Sequence, residues 1–350
     1  MKRRTLLTYM PFGALALMET ARSAHKTIAT PQVAAPFISS SQMVLGLLKQ
    51  HLQPSAASLQ QAAQALAQSL SQGKAPWAQH RPLWVATMLA WERLAAVAVG
   101  PLLDRRSARA IDFWPTRPAQ IQRLLESGSV TSVQQLETVG ATARGLPALE
   151  WLLWKTDGSG HAQTYASVLA QQILAESQAL QLGYQTLANT EWEEEDAWAL
   201  YGEWFGQAVG GLDQLRIKKM VPDTRGKDSA PWVRGVSGQT AAAWLAQAQG
   251  LQAFLVGSPA AQMATQAATP GWPVAGSLNS LLLGRGHLRD SLTLQERTTT
   301  LLRTVQAARP GNAASVRAAQ AALAQISAQA NGLAGDVLAI TMGFTDADGD

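Results

Sequence analysis

The chain has 350 residues, 47% of them apolar and 15% charged, with 28 lysines and arginines against 24 acids and no cysteine. At this length folding buries about 75% of the surface an unfolded chain exposes, which excludes disorder over most of the sequence and leaves room for one large core or two medium ones. The missing cysteines exclude disulfides, thiol catalysis, thiolate metal sites and a lipid-modified cysteine.

The formal charge of +4 is unevenly placed. Residues 1–23 hold Lys2, Arg3, Arg4 and Arg22 against Glu19, so the rest of the chain carries 24 basic and 23 acidic residues. A nearly neutral body has no basic stripe of the kind a phosphate backbone requires, and the expectation is no nucleic-acid partner. The basic head is followed by an apolar stretch from Leu6 to Met18, shorter than the ~20 residues a membrane span needs, and then by Ala21, Ser23 and Ala24. This order predicts an export signal over residues 1–23, a linker over 24–38 and a periplasmic protein that is not a lipoprotein; the alternative is an amphipathic N-terminal helix of a cytosolic protein. The apolar run from Leu83 to Leu103 is interrupted at its centre by Glu92 and Arg93, each costing about 3 kcal/mol in a bilayer, and so predicts a buried helix instead of a span.

Beyond the linker the dominant signal is helical. Leu59, Ala62, Ala63, Leu66 and Leu70 recur at three and four residues after a start at Pro54 and Ser55, and Ala/Gln-rich stretches follow at 158–188, 238–256 and 312–330. Alternating β-branched runs are nearly absent, so the fold class is all-α. Breakers fall at 73–76, 100–101, 115–118, 128, 157–160, 189–190, 222–231, 257–259, 270–273 and 310–311. Thr190 and Glu193 have the spacing of a capping box ahead of an acidic first turn. Four or five helices on each side of that point predict two related four-helix bundles, at 39–188 and 189–350. A weak echo supports duplication: a Gly-x-Pro at 145–147 precedes a leucine-rich run, as does another at 271–273.

The usual catalytic signatures are missing: no zinc helix with paired histidines, no nucleophile elbow, no phosphate-cradling glycine loop and no dinucleotide fingerprint. The five histidines, at 25, 51, 80, 161 and 287, are scattered. The stretch from Gly140 to Trp154 is the most unusual. Pro147 removes an amide donor and clashes with the Ala143 carbonyl, so the helix must kink or restart between Arg144 and Pro147, freeing carbonyls beside Gly145. Glu150 follows three residues on, flanked by Leu149, Trp151, Leu152 and Leu153. A carboxylate there must be paired, protonated or bound to a cation, and a structural salt bridge with Arg144 or Arg117 is the competing account. A second stretch, Ile111 to Pro118, sets Asp112 and Arg117 on either side of the Trp114–Pro115 corner, either as a polar wall or as a hydrophobic corner anchored by Trp114.

The corner from Asp112 to Pro115, the run from Gly145 to Leu153 and the ending from Gly343 to Asp350 resemble the imelysin family, with similarity in order and spacing over roughly residues 39–350. The resemblance implies an all-α fold of two related bundles with a functional site between them, periplasmic members encoded near iron-uptake systems, and a name taken from an insulin-cleaving peptidase. The family motif Gly-x-His-x-x-Glu is matched by Gly145 and Glu150, but Pro147 stands at the histidine. Without that imidazole a zinc-peptidase site is poorly supplied, and a divalent or ferric cation, or a small polar ligand, is expected on oxygens from Glu150 and Asp112. The expected site comprises Glu150, Asp112, Arg117, Gly145, Pro147 and Arg144, with His287 and Asp290 as a distant alternative from the second bundle; Asp346, Asp348 and Asp350 have a calcium-like spacing but no closing glutamate. The resulting expectation is non-catalytic ligand or metal binding linked to iron uptake, with a metallopeptidase, or an interaction protein docking an iron-uptake membrane complex, as alternatives.

Overall fold

Alanine, leucine and glutamine at helical spacing, cut by glycine and proline, leave the backbone little choice but short-linked helices. The computed structural model describes residues 37–73, 75–223 and 231–340, so the proposed signal at 1–23, most of the linker and the acidic tail at 346–350 lie outside the described residues. The helices are α1 (Ser40–Leu47), α2 (Gln53–Ser71), α3 (Trp77–Leu94), α4 (Pro101–Asp104), α5 (Ser107–Ile111), α6 (Pro118–Ser127), α7 (Val133–Glu137), α8 (Gly145–Lys155), α9 (His161–Ala188), α10 (Glu194–Asp213), α11 (Thr240–Val256), α12 (Pro259–Ala268), α13 (Leu278–Gly284), α14 (Leu288–Ala307) and α15 (Ala313–Leu333). The described residues contain no strand, so the fold is all-α as expected.

The helix expected from Pro54 is α2, which begins one residue earlier at Gln53, but it does not start from a loop: α1 runs through a π-helical turn at Leu48–Leu52 directly into it. The wider turn lets the chain carry Pro54 in the first turn of α2, where the clash of its ring with the preceding carbonyl would otherwise break the helix. Nor do Thr190 and Glu193 form a capping box. Glu193 is itself the N-cap of α10 and makes no side-chain cap bond. The acidic run is used differently, because the Glu194 carboxylate accepts hydrogen bonds from the Ser40 amide at 2.7 Å and the Ser41 hydroxyl at 2.5 Å, at the N-terminus of α1. These donors, the Ser41 hydroxyl first, lower its pKa to about 2. The segment 101–137 is broken into four short helices, because prolines and glycines recur faster there than a long helix allows.

The core runs continuously through these elements. Helix α2 packs on α9 and α3, α3 also packs on α8 and α11, α11 on α14, α14 on α15, and α1 on α10. Helices from either side of Ala188 are thus in direct contact along α3–α11 and α1–α10. Gly250 permits the first of these: a Cβ there would collide with the carbonyl oxygen of Arg93 at the end of α3. The Leu83–Leu103 run, expected to form one buried helix, is divided: residues 83–94 end α3, which carries Glu92 with no exposure at all, and the chain then turns at 95–100 into α4. Among the described residues no helix is long and apolar enough to cross a membrane.

Candidate functional site: a buried carboxylate–guanidinium cluster

The helix restart predicted near Pro147 is present, but it does not leave a kinked helix. A 3-10 turn at Ala141–Ala143 ends in an extended Arg144, and α8 opens at Gly145. Pro147 therefore stands in the first turn of α8, where amides have no intrahelical partner, and its missing N–H costs no helical bond. The Ala143 carbonyl accepts from the Tyr165 hydroxyl, and the Leu146 carbonyl accepts from Trp84 Nε1 at 3.1 Å. The expected notch of free carbonyls is filled by these two side chains. Gly145 has φ +68°, a conformation that costs little only for glycine, and a Cβ on it would run into the Ile111 carbonyl at the end of α5. That approach sets Asp112, the next residue after Ile111, alongside α8.

Three carboxylates converge from three helices of the first half: Glu92 on α3, Asp112 at the end of α5 and Glu150 on α8. Two cations and a hydroxyl reach them from the second half. Arg234, fully buried and held at φ +62° in the turns at 231–238, places Nη2 3.0 Å from Glu92 Oε1 and 2.7 Å from Asp112 Oδ1, while its Nε donates to Glu92 Oε1 at 3.2 Å. Lys219, in the π-helical turn after α10, donates to Glu92 Oε2 at 2.5 Å. Trp91 Nε1 donates to Asp112 Oδ2 at 2.8 Å. The Glu150 Oε1 atom accepts from the Ser237 amide at 2.8 Å and from its hydroxyl at 2.6 Å.

The surrounding tryptophans hold the cations in place. The Trp84 ring centroid lies 5.9 Å from the Arg234 guanidinium carbon, Trp232 meets Trp244 edge-on at 5.3 Å, and Trp244 Nε1 donates to the Lys219 carbonyl at 3.0 Å.

The electrostatics follow from this placement. Burial pushes the Asp112 carboxyl up, but the charges of Arg234 and Lys219 and the Trp91 hydrogen bond outweigh it and hold the group below its ordinary range. Burial raises Glu150, with Asp112 adding to it; the Arg234 charge and the Ser237 bonds only partly oppose this. Burial disfavours the Arg234 charge, yet Asp112, Glu92 and Glu150 together raise its pKa, so the guanidinium is permanently charged.

The predicted residues thus separate. Glu150 and Asp112 belong to one cluster, with Gly145 as its close-approach hinge and Pro147 in the first turn of the helix that carries Glu150. Arg117 is exposed, and Arg144 turns away to donate to the Leu136 carbonyl at 3.3 Å, so neither pairs with Glu150 as the salt-bridge account expected. His287 lies at the start of α14 with Nδ1 3.6 Å from Asp290, partly exposed and outside the cluster. Sequence reasoning missed Glu92, Lys219, Arg234 and Ser237. Only Glu92 left a signal, as the charge interrupting the most apolar run of the chain.

A resident metal ion does not fit this cluster. Both oxygens of Glu92 and both of Asp112 face Arg234, Lys219 or Trp91, Asp112 Oδ1 through the Arg234 ion pair alone, which leaves Glu150 Oε2 as the carboxylate oxygen with neither an ion pair nor a hydrogen bond to a described residue. Among the described residues there is no group of three or more histidine, aspartate or glutamate side chains arranged to hold a metal ion. Cavities of about 660, 330 and 170 Å³ lie elsewhere and are lined by none of the five charged residues.

Fold and site together define an all-α protein organised around an internal ion-pair cluster. The family model for Imelysin matches residues 48–339, and the chain belongs to the imelysin family. The fold is similar to that of an imelysin-like protein from Psychrobacter arcticum, at 16% identity and a TM-score of 0.69, over 89% of this chain and 100% of the other. It is also similar to a protein from Parabacteroides distasonis assigned provisionally as an iron-regulated protein A precursor, at 13% identity and a TM-score of 0.65, over 83% and 93%. No curated protein sequence matches the chain.

Proposed function

We propose that this imelysin-family chain is a periplasmic, non-catalytic binding protein that serves iron uptake by holding a small polar ligand at the Glu150 end of the cluster. The observation that carries the reading is an unmet buried donor in the cluster that also holds an open carboxylate oxygen: Arg234 Nη1 is buried without a hydrogen bond to a described residue, and Glu150 Oε2 makes none either. A buried donor without a partner costs about 1–3 kcal/mol, which a ligand offering both an acceptor and a donor would recover. Export rests on the basic head and short apolar stretch of residues 2–18. The iron connection rests on the family and on the iron-regulated description of the Parabacteroides relative. A metallopeptidase is disfavoured by the donor set, since Pro147 replaces the motif histidine and a guanidinium occupies the centre of the carboxylates.

The test is native mass spectrometry of the protein recovered from periplasm, with elemental analysis of the same sample. A small organic ligand, no stoichiometric metal, and loss of that ligand in a folded Glu150→Gln variant are expected. Stoichiometric metal retained by wild type and lost by Glu150→Gln would overturn the assignment. The interaction-protein reading draws on one observation, the enclosure of the cluster away from the cavities, and takes precedence if wild type and variant both carry nothing.

A further inference from the structure

The cavity of about 330 Å³ enclosed by α11, α12, α13 and α14 has a different chemistry from the charged cluster. No charged side chain lines it; its polar wall is made of glutamine, asparagine, serine and threonine side chains, and its apolar wall of Trp272 with leucines and valines. We infer that this cavity binds a neutral, hydroxyl-rich small molecule, a saccharide of one or two rings.

The rim is prefolded by amides. Gln266 spans the loop that carries Trp272, donating to the Trp272 carbonyl at 2.9 Å and accepting from the Gly271 amide at 2.9 Å, and Gln262 donates to the Gly257 carbonyl at 2.8 Å. Inside, Asn279 on α13 is 6% exposed, and its Oδ1 accepts from Ser291 Oγ at 2.6 Å and Gln295 Nε2 at 3.1 Å. Those two donors fix the orientation of its amide and leave Nδ2 as a donor with no hydrogen bond to a described residue. Gln252 on α11 is 8% exposed and its amide makes no hydrogen bond to any described residue. Two side chains more than nine-tenths buried thus present unmet hydrogen-bonding atoms to one cavity.

A ligand that fills the cavity shuts these atoms off from water, which is unfavourable unless the ligand itself meets them. An amide both donates and accepts, matching a hydroxyl, which does the same. A charged ligand would find no counter-charge here, and a wholly apolar one would leave Gln252 and Asn279 unmet. The indole of Trp272 offers a flat apolar face for the C–H side of a pyranose ring. A volume near the lower end of the ~300–1,000 Å³ typical of ligand pockets limits the occupant to one or two rings.

The experiment is calorimetric titration of the full chain with glucose, galactose, N-acetylglucosamine, maltose and trehalose, set beside glucosamine, glucuronate and N-acetyl-triglycine amide. At least one neutral saccharide should bind with Kd below about 1 mM, and its charged counterparts about tenfold more weakly. Gln252→Leu, which removes no hydrogen bond of the folded protein, should weaken that binding by about tenfold or more without altering the unfolding transition. Trp272→Ala, at the partly exposed rim, should weaken it too and serves if Gln252→Leu fails to fold. Absence of binding by every neutral saccharide, equal binding of glucuronate, binding of the peptide alone, or unchanged affinity in the folded variants would overturn the inference.

Discussion

Replacing Arg234 with methionine tests whether the cluster is a true buried ion-pair network. Met keeps most of the stem that packs over Trp84 and removes the guanidinium, whose Nη2 stands between Glu92 and Asp112 at 3.0 and 2.7 Å. The two carboxylates fare differently. Glu92 keeps Lys219 at 2.5 Å, whereas Asp112 is left with the Trp91 hydrogen bond and the charge of Lys219, which makes no direct contact with it. Removing one partner of a buried pair typically costs about 3–5 kcal/mol; the surviving Lys219 contact places the expected loss near the lower end, about 3 kcal/mol at pH 7.

The pH dependence sharpens that prediction. In the wild type Asp112 has a folded pKa below its unfolded one, so its contribution is present above the unfolded value and is lost as pH falls through the folded value. Without Arg234 the burial that raises Asp112 is unopposed by the guanidinium, and its charge becomes a penalty that disappears on protonation. The gap between wild type and variant, measured by urea denaturation from pH 7 to pH 3, should therefore narrow as pH falls. Adding Asp112→Asn to the Arg234→Met protein should restore about 1 kcal/mol or more at pH 7. A loss below about 1 kcal/mol, the size expected of a solvent-screened pair, or a gap that does not change with pH, would refute the reasoning.

Two further outcomes follow from the same geometry. Gly145→Ala forces a left-handed conformation that costs a non-glycine residue about 1–2 kcal/mol and drives a Cβ into the Ile111 carbonyl; a loss above about 2 kcal/mol in urea denaturation is expected, and a near-neutral effect would show that α5 and α8 are not held in close approach. Glu150, raised by burial, contributes fully below its unfolded value of 4.5 and loses that contribution as pH rises through its folded value. Glu150→Gln, a neutral isostere that still accepts from Ser237, should therefore gain on the wild type as pH rises from 4 to 8 in thermal unfolding, and parallel curves across that range would contradict the assigned direction.

What was legible in the sequence was what local chemistry encodes. Gly100 and Pro101, Gly128, Gly160 and Pro259 punctuate the helices where they were expected, because backbone conformation at a glycine or proline is decided within a few residues. Pro54 marked the start of α2 but not the π-helical turn that joins it to α1, and Thr190 misled, since the chain continues to Glu193 before turning. Glu150 and Asp112 were visible as carboxylates set among tryptophan and leucine. Their partners were not: Arg234 and Ser237 sit just past a run of breakers at 222–231, and what brings them to Glu92, Asp112 and Glu150 is the packing of α3 on α11 and of α8 on α3, a long-range relation that no local spacing records.

The substitution at Pro147 and the presence of Arg234 belong to one physical problem. A cluster of buried carboxylates requires positive charge, which either a bound cation or a tethered side chain can supply. The motif position that would offer an imidazole ligand holds a proline, its lost amide falls harmlessly in the first turn of α8, and Tyr165 occupies the Ala143 carbonyl that such a proline frees. At the same time Arg234 Nη2 bridges Glu92 and Asp112 much as a cation would, with Lys219 completing Glu92. A guanidinium differs from a metal ion in being unable to dissociate, in keeping its charge at any physiological pH, and in offering directed donors instead of open coordination positions. The cluster therefore neutralises its carboxylates with tethered donors, and the polar atoms it leaves over, Glu150 Oε2 and Arg234 Nη1, offer hydrogen bonding instead of open coordination positions.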